Sequence, residues 1–140
     1  MHLLDSDTLT YLYEDHPRVV RRLRALDPGE VVATTIISKI EVLQGRHAFV
    51  LKASRLAEFL RAQDLLVRTE QFLARVPIVF LDAAAIRHFE GLRKNKGLRK
   101  IGRADLLIAA SALAQRAILV TRNLRHIERI PGLHVVNWVD

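Results

Sequence analysis

The 140-residue chain contains no cysteine, which excludes both a disulfide framework and a thiolate zinc site. Aromatic side chains make up only 6% of it, too few to suggest the base-stacking surface of an RNA-recognition sheet. No apolar run approaches the roughly 18 residues that a membrane span requires. The opening Met1-His2-Leu3-Leu4-Asp5 lacks the basic start and apolar core of a secretory signal. Internal repeats, low-complexity tracts and linkers are also absent. One domain over residues 1–140, in the cytoplasm and away from membranes, is the expectation.

What is present is a globular balance: half the residues are apolar and 26% are charged. Positive charge dominates, with a formal net charge of +7. It is concentrated in Arg93, Lys94, Lys96, Arg99, Lys100 and Arg103, a run that no acid interrupts. A field of that sign favours polyanions, because phosphate contacts release condensed counterions. A solvated helix end and loop would read the same way in sequence.

Short apolar segments alternate with helical patterns. Leu3-Leu4 reads as a buried strand ending at Asp5, with Ser6 or Asp7 capping a helix through Tyr13. Pro17 opens a second helix, which Asp27-Pro28-Gly29 follows as a break. Val31–Thr34 reads as a strand, and Ser38 opens the next helix. A long helical pattern from Ala53 to Arg75, with a break near Val67–Thr69, leads to a buried strand at Ile78-Val79-Phe80. Asp82 then caps a helix carrying Ile86, Phe89 and Leu92. After a basic loop between Gly97 and Gly102, Asp105 starts an alanine-rich helix to about Arg116. Ile118–Thr121 is the fourth strand. A helical turn over 124–129, a Pro131-Gly132 turn and a last strand at Val135–Trp138 complete the pattern. Strands alternating with helices predict an α/β fold, a three-layer α/β/α sandwich around a mainly parallel sheet.

In such sheets ligands bind beyond the carboxyl ends of the strands. Asp5 and Asp7 follow the first strand, and Glu41 lies in the first turn of the helix after the second. Asp105 starts the helix that leads into the fourth strand, so it lies at the same edge. Thr121 and Asn123 leave the fourth strand there as well. Asp5, Glu41 and Asp105 are therefore expected in one anionic pocket. Oxygen ligands without cysteine suit one or two Mg²⁺ or Mn²⁺ ions rather than zinc, and such ions can activate water against a phosphodiester. Each acid also has an ordinary structural reading. Ser38-Lys39-Ile40-Glu41 fits a capping box, and Asp105 suits a helix start through the dipole. His126 reads as a surface residue near a turn, and Asp82 as a plain cap.

At these residues the sequence resembles the PIN-domain family, in particular the VapC-type toxins. The matching segments are Leu3-Leu4-Asp5-Ser6-Asp7-Thr8-Leu9, Ser38-Lys39-Ile40-Glu41-Val42-Leu43-Gln44-Gly45, Ala104–Ala110 and Leu119-Val120-Thr121-Arg122-Asn123, continued by Arg129–Leu133. The resemblance implies a Mg²⁺- or Mn²⁺-dependent endoribonuclease, a homodimer held inactive by a cognate antitoxin. It assigns the metal to Asp5, Glu41 and Asp105, with Asp7, Thr121, Asn123 and His126 in support. His126 stands where relatives often carry a fourth acid. The basic run from Arg93 to Arg103 would guide RNA. Two rivals share the pattern: a non-catalytic module of the same fold that binds RNA or protein, and a receiver-like domain with Asp82 as phosphoacceptor.

Overall fold

The computed structural model describes residues 1–140. Its elements in chain order are β1 (His2–Leu4), α1 (Ser6–Tyr13), α2 (Pro17–Arg24), β2 (Val32–Thr35), α3 (Ile36–Lys52), α4 (Leu56–Leu73) and β3 (Ile78–Val79). They continue through α5 (Ala83–Lys94), a 3₁₀ turn at Lys96–Leu98, α6 (Arg103–Gln115), β4 (Ile118–Val120), α7 (Leu124–Ile127) and β5 (His134–Val136). All four strand pairings are parallel, in the order β3-β2-β1-β4-β5. The expected three-layer α/β/α architecture is present, and its sheet is wholly parallel. No helix is long and apolar enough to cross a membrane.

The central strand shows why the sheet is sandwiched. Leu3 and Leu4 point to opposite faces, and both are fully buried. Leu3 joins Leu119, Phe89, Leu106 and Ile108 in a core beneath α5 and α6. Leu4 joins Val120, Leu9, Val19 and Leu73 in a second core beneath α1, α2 and α4. A strand buried on both faces needs consecutive apolar residues rather than alternation, and this one has them.

Leu4 is in register with Thr34 of β2 and Val120 of β4. The next row is therefore Thr35, Asp5 and Thr121, where the sheet gives way to loops and helices. The chain leaves β1 for β2 on one side and later returns to β4 on the other. The crevice between β1 and β4 is thus the topological switch point, where open parallel sheets bind ligands.

Several local expectations are corrected. Asp5, not Ser6 or Asp7, caps α1, accepting a 2.8 Å hydrogen bond from the Thr8 amide. Helix α3 starts at Ile36 under a Thr35 cap rather than at Ser38, because the Thr35 hydroxyl accepts from the Ser38 amide at 3.0 Å. Helix α4 runs through Val67–Thr69 without a break, since the Thr69 hydroxyl bonds back to the Leu65 carbonyl and leaves the helix intact. β3 is only two residues long, and Phe80 beyond it is 66% exposed rather than buried. β5 ends at Val136, so Trp138 is buried beyond the strand. The predicted basic loop contains a 3₁₀ turn and anchors itself through buried Leu98 and Ile101.

Candidate active site

Asp5 extends the β1 ladder, its amide donating to the Val120 carbonyl at 3.0 Å, so its carboxylate stands at the switch point. One oxygen caps α1; this bond and the nearby Thr121 and Thr8 hydroxyls favour the ionised form. Burial outweighs them and pushes the Asp5 carboxyl above its ordinary value. The two roles can be separated by substitution. Asn caps a helix about as well as Asp, so Asp5→Asn is expected to keep the fold's stability or, by removing a desolvated charge, to raise it at neutral pH. Asp5→Ala should cost about 1 kcal/mol in thermal or urea unfolding.

Glu41 is the sixth residue of α3, in its second turn rather than the first. That placement removes the capping-box reading: Ser38 is already engaged by Thr35, and Glu41 stands too far along the helix to return to the cap. Burial is the largest influence raising the Glu41 carboxyl; a hydrogen bond from Ser6 opposes it, and repulsion from Asp105, Asp5 and Asp7 adds to it. Because it caps nothing and its charge is disfavoured by burial, Glu41→Gln is expected to leave folding stability at pH 7 unchanged or slightly raised in urea unfolding.

Asp105 is the third residue of α6, which Gly102 caps and Arg103 begins, and not the helix's first residue. Its carboxyl is also raised, first by burial and then by Asp7. The mutual repulsions connect all four acids, although they lie on three separate stretches of chain. Asp7 is the exposed member of the four.

No Lys or Arg forms a salt bridge with any of the four; the ion pairs of the structure involve Glu30, Asp64 and Asp140. In a chain with 22 basic residues against 15 acids, these carboxylates are left without a counter-charge. Their donors are all hard oxygens, which suits a divalent cation. The acids do not form a closed cage: no group of three His, Asp or Glu side chains is arranged to hold an ion. Mg²⁺ accommodates such an open set, since it usually retains several waters and takes one or two carboxylates directly. The donor chemistry therefore fits the ion, with water completing its shell.

Beneath the acids lies a layer of buried hydroxyls that sequence reading passed over, apart from Thr121. Thr34 donates to the Leu4 carbonyl at 2.6 Å, Thr8 donates to that of Val120 at 3.3 Å, and Thr35 and Ser38 share a 3.0 Å bond. The first ties β2 to β1, the second ties α1 to the end of β4, and the third fixes the start of α3. The signal was the density of Ser and Thr at the ends of apolar strands, in Ser6-Asp7-Thr8, Thr34-Thr35 and Thr121.

The other expected residues are placed as follows. Thr121 is buried, and its hydroxyl accepts from the Asn123 amide at 3.0 Å. The exposed Asn123 side chain makes no cap bond and is free to engage a ligand or water. His126 is half-buried on α7, with its Nδ1 enclosed and without a partner. Asp82 accepts from the Ala85 amide at 2.8 Å at the edge strand β3, away from the β1–β4 crevice, as a plain cap. All six cations from Arg93 to Arg103 are exposed, and none is in an ion pair.

Fold and site together define a class: an α/β protein whose wholly parallel sheet carries uncompensated carboxylates at its switch point. The chain belongs to the PIN domain family, whose profile matches residues 2–133. It is 31% identical to "Ribonuclease VapC2" of Rickettsia felis, over 99% of this chain and 98% of that protein. Similarity to the "tRNA(fMet)-specific endonuclease VapC" of Shigella flexneri is 26% identity over 97% and 96%. Among solved structures, VapBC2 of Rickettsia felis bound to a DNA fragment from its promoter superposes with a TM-score of 0.78. That pair shares 28% identity and covers 98% of both chains.

Proposed function

We propose that this chain is a divalent-metal-dependent endoribonuclease and the toxin of a toxin–antitoxin pair. The observation that carries this reading is the convergence of Asp5, Glu41 and Asp105, part-buried and unpaired with any cation, in a strongly basic protein. The similar VapC ribonucleases and VapBC complexes support the activity and the antitoxin partner. Divalent-metal dependence is general to PIN-domain nucleases; the ion here is Mg²⁺ or Mn²⁺.

A bound ion would supply polarisation of a phosphodiester oxygen and a water of lowered pKa. Asp5, Glu41 and Asp105 would hold it, directly or through water. The Thr8 amide keeps the Asp5 carboxylate oriented. Asp7 at the mouth and the free amide of Asn123 would position water and phosphate. Purified protein incubated with total RNA, followed by mapping of new 5′ ends, tests the reading. Cleavage is expected with Mg²⁺ or Mn²⁺, to stop with EDTA and to be absent in Asp5→Asn. Undiminished cleavage in EDTA would remove the metal from the proposal.

The antitoxin has a surface to bind. Phe49 and Leu51 of α3 and Leu56, Phe59 and Leu60 of α4 expose apolar side chains, Leu51 and Leu56 by 83% and 76%. Clustered apolar surface of this kind marks protein interfaces. Leu56→Glu combined with Leu60→Glu is expected to weaken capture of the cognate antitoxin by tenfold or more. RNA cleavage by the free toxin should stay unchanged. Equal antitoxin affinity would place the partner elsewhere.

A further inference from the structure

The six cations between Arg93 and Arg103 do not form one patch. Arg93, Arg99 and Arg103 line a cavity of about 430 Å³ between α5 and the start of α6, and the three lysines do not. The cavity floor is apolar, made by Leu98, Ile101 and Leu106 with Phe89, all buried. The guanidinium carbons of Arg93 and Arg103 lie 5.7 and 5.1 Å from the centroid of the one Phe89 ring. No acid pairs with any of the three arginines.

Beyond those two ring contacts, this arrangement does little for folding. Like charges are crowded round a small volume, and Arg103 begins α6, where the helix dipole disfavours a cation. A ligand with an anionic group and a flat apolar part would resolve both conflicts. Guanidinium forks match phosphate oxygens, and their planes, with an apolar floor, suit a nucleobase. Arg103 and Leu106 line the cavity, while Asp105 between them in sequence interacts with Asp7 in the acidic cluster. The first turn of α6 therefore separates the two, by about the 10–12 Å diameter of a helix.

We propose that this cavity holds one nucleotide of the RNA strand flanking the bond that is cut, with its phosphate on the arginine forks and its base on the Leu98–Ile101–Leu106 floor. The proposal rests on the nuclease reading and adds to it a place where cleavage preference is set. Arg99, exposed and free of any bond within the protein, is the position to test because its replacement leaves the fold alone.

The probe is a fluorescein-labelled single-stranded oligoribonucleotide spanning a bond that the wild-type protein cuts. Its binding is measured in EDTA, without turnover, with an abasic site moved one position at a time. One position is expected to lose on the order of tenfold in affinity, the usual worth of a stacked base. In Arg99→Ala that position should lose nothing more, since base and arginine act together. Arg99→Lys should behave like Arg99→Ala, because charge alone does not reproduce the fork. Replacing Lys94, Lys96 and Lys100 with alanine should lower affinity evenly at all positions. Equal abasic losses everywhere, or full rescue by Arg99→Lys, would overturn the pocket in favour of a diffuse positive field. RNA affinity untouched by both Arg99→Ala and Arg103→Ala would overturn it in favour of a protein ligand. If the wild-type protein cuts no RNA, the nuclease reading itself fails; if it cuts but shows no position effect, only the pocket falls.

Discussion

Asp105→Asn is expected to lower kcat/KM for metal-dependent RNA cleavage by at least about 100-fold while leaving the metal-free protein as stable as wild type or more so. The rate loss follows from removing a charged oxygen from the group that would hold the ion. Even residues that only support metal ligands cost 10–100-fold when replaced. The stability result follows from the carboxyl's raised pKa, which means that the folded protein disfavours the ionised side chain. Asp105 has no side-chain hydrogen bond to lose, and Asn removes the charge without changing the shape. The helix-dipole benefit lost with it, about 0.3–1 kcal/mol, opposes this gain and limits its size. Initial rates on a cleaved oligonucleotide and urea unfolding in EDTA measure the two effects. Activity within tenfold of wild type would take Asp105 out of the site. Marked destabilisation would make it a structural cap.

A divalent ion is expected to raise the melting temperature at neutral pH, by roughly 10 °C when present at about 100 times its Kd. The gain should shrink as the pH falls. Asp5, Glu41 and Asp105 are all raised above their ordinary values of 3.8, 4.5 and 3.8. A group raised on folding contributes stability that is fully present below its unfolded pKa and lost as the pH climbs through its folded one. Without metal, the three carboxylates therefore work against folding at pH 7, and acidification towards the ordinary values relieves the strain. The comparison that isolates them is wild type against the combined Asp5→Asn, Glu41→Gln and Asp105→Asn variant. In EDTA that variant should be the more stable at pH 7, and the difference should close as the pH falls towards 4. Ion binding should reverse the order at pH 7, since the variant has no charge with which to hold it. The same stability gap at all pH values would mean that the acids do not share a desolvated cluster. Scanning calorimetry across a pH series, with and without Mg²⁺, reads both effects.

Much of this was visible in residue order. Short apolar runs bounded by turn or cap residues, such as Leu3-Leu4 before Asp5, suit strands covered on both sides, and Pro17, Asp82 and Pro131-Gly132 punctuate the chain by local chemistry. Gly132 adopts a φ of 78°, the left-handed conformation its turn requires. The acids could be assigned to one edge because strand direction and crossover handedness leave few alternatives. Helix starts were less legible. Asp5, Ser6 and Asp7 are all competent caps, as are Thr34, Thr35 and Ser38, and the choice between them depends on which carbonyls the sheet has already engaged. With Asp5 fixed in the β1 ladder, its side chain falls where the Thr8 amide needs a partner.

The same limit explains the basic run. Six cations within eleven residues look uniform in a line of text. Leu98 and Ile101 turn inward to fill the core beside Phe89, and that separates three arginines round a cavity from three lysines in solvent.

Taken alone, the amino-acid order determined the α/β architecture with its parallel sheet, and it offered Asp5, Glu41 and Asp105 at one sheet edge as candidate oxygen donors to a hard cation. Those depend on hydrophobic period, strand direction and side-chain type, all of which are local or topological. Only the tertiary structure decided which hydroxyls bond the strand ends, that Glu41 is free of capping, that no lysine or arginine neutralises the cluster, and which cations share a pocket. Each of these depends on distances between segments far apart in the chain, and packing alone sets such distances.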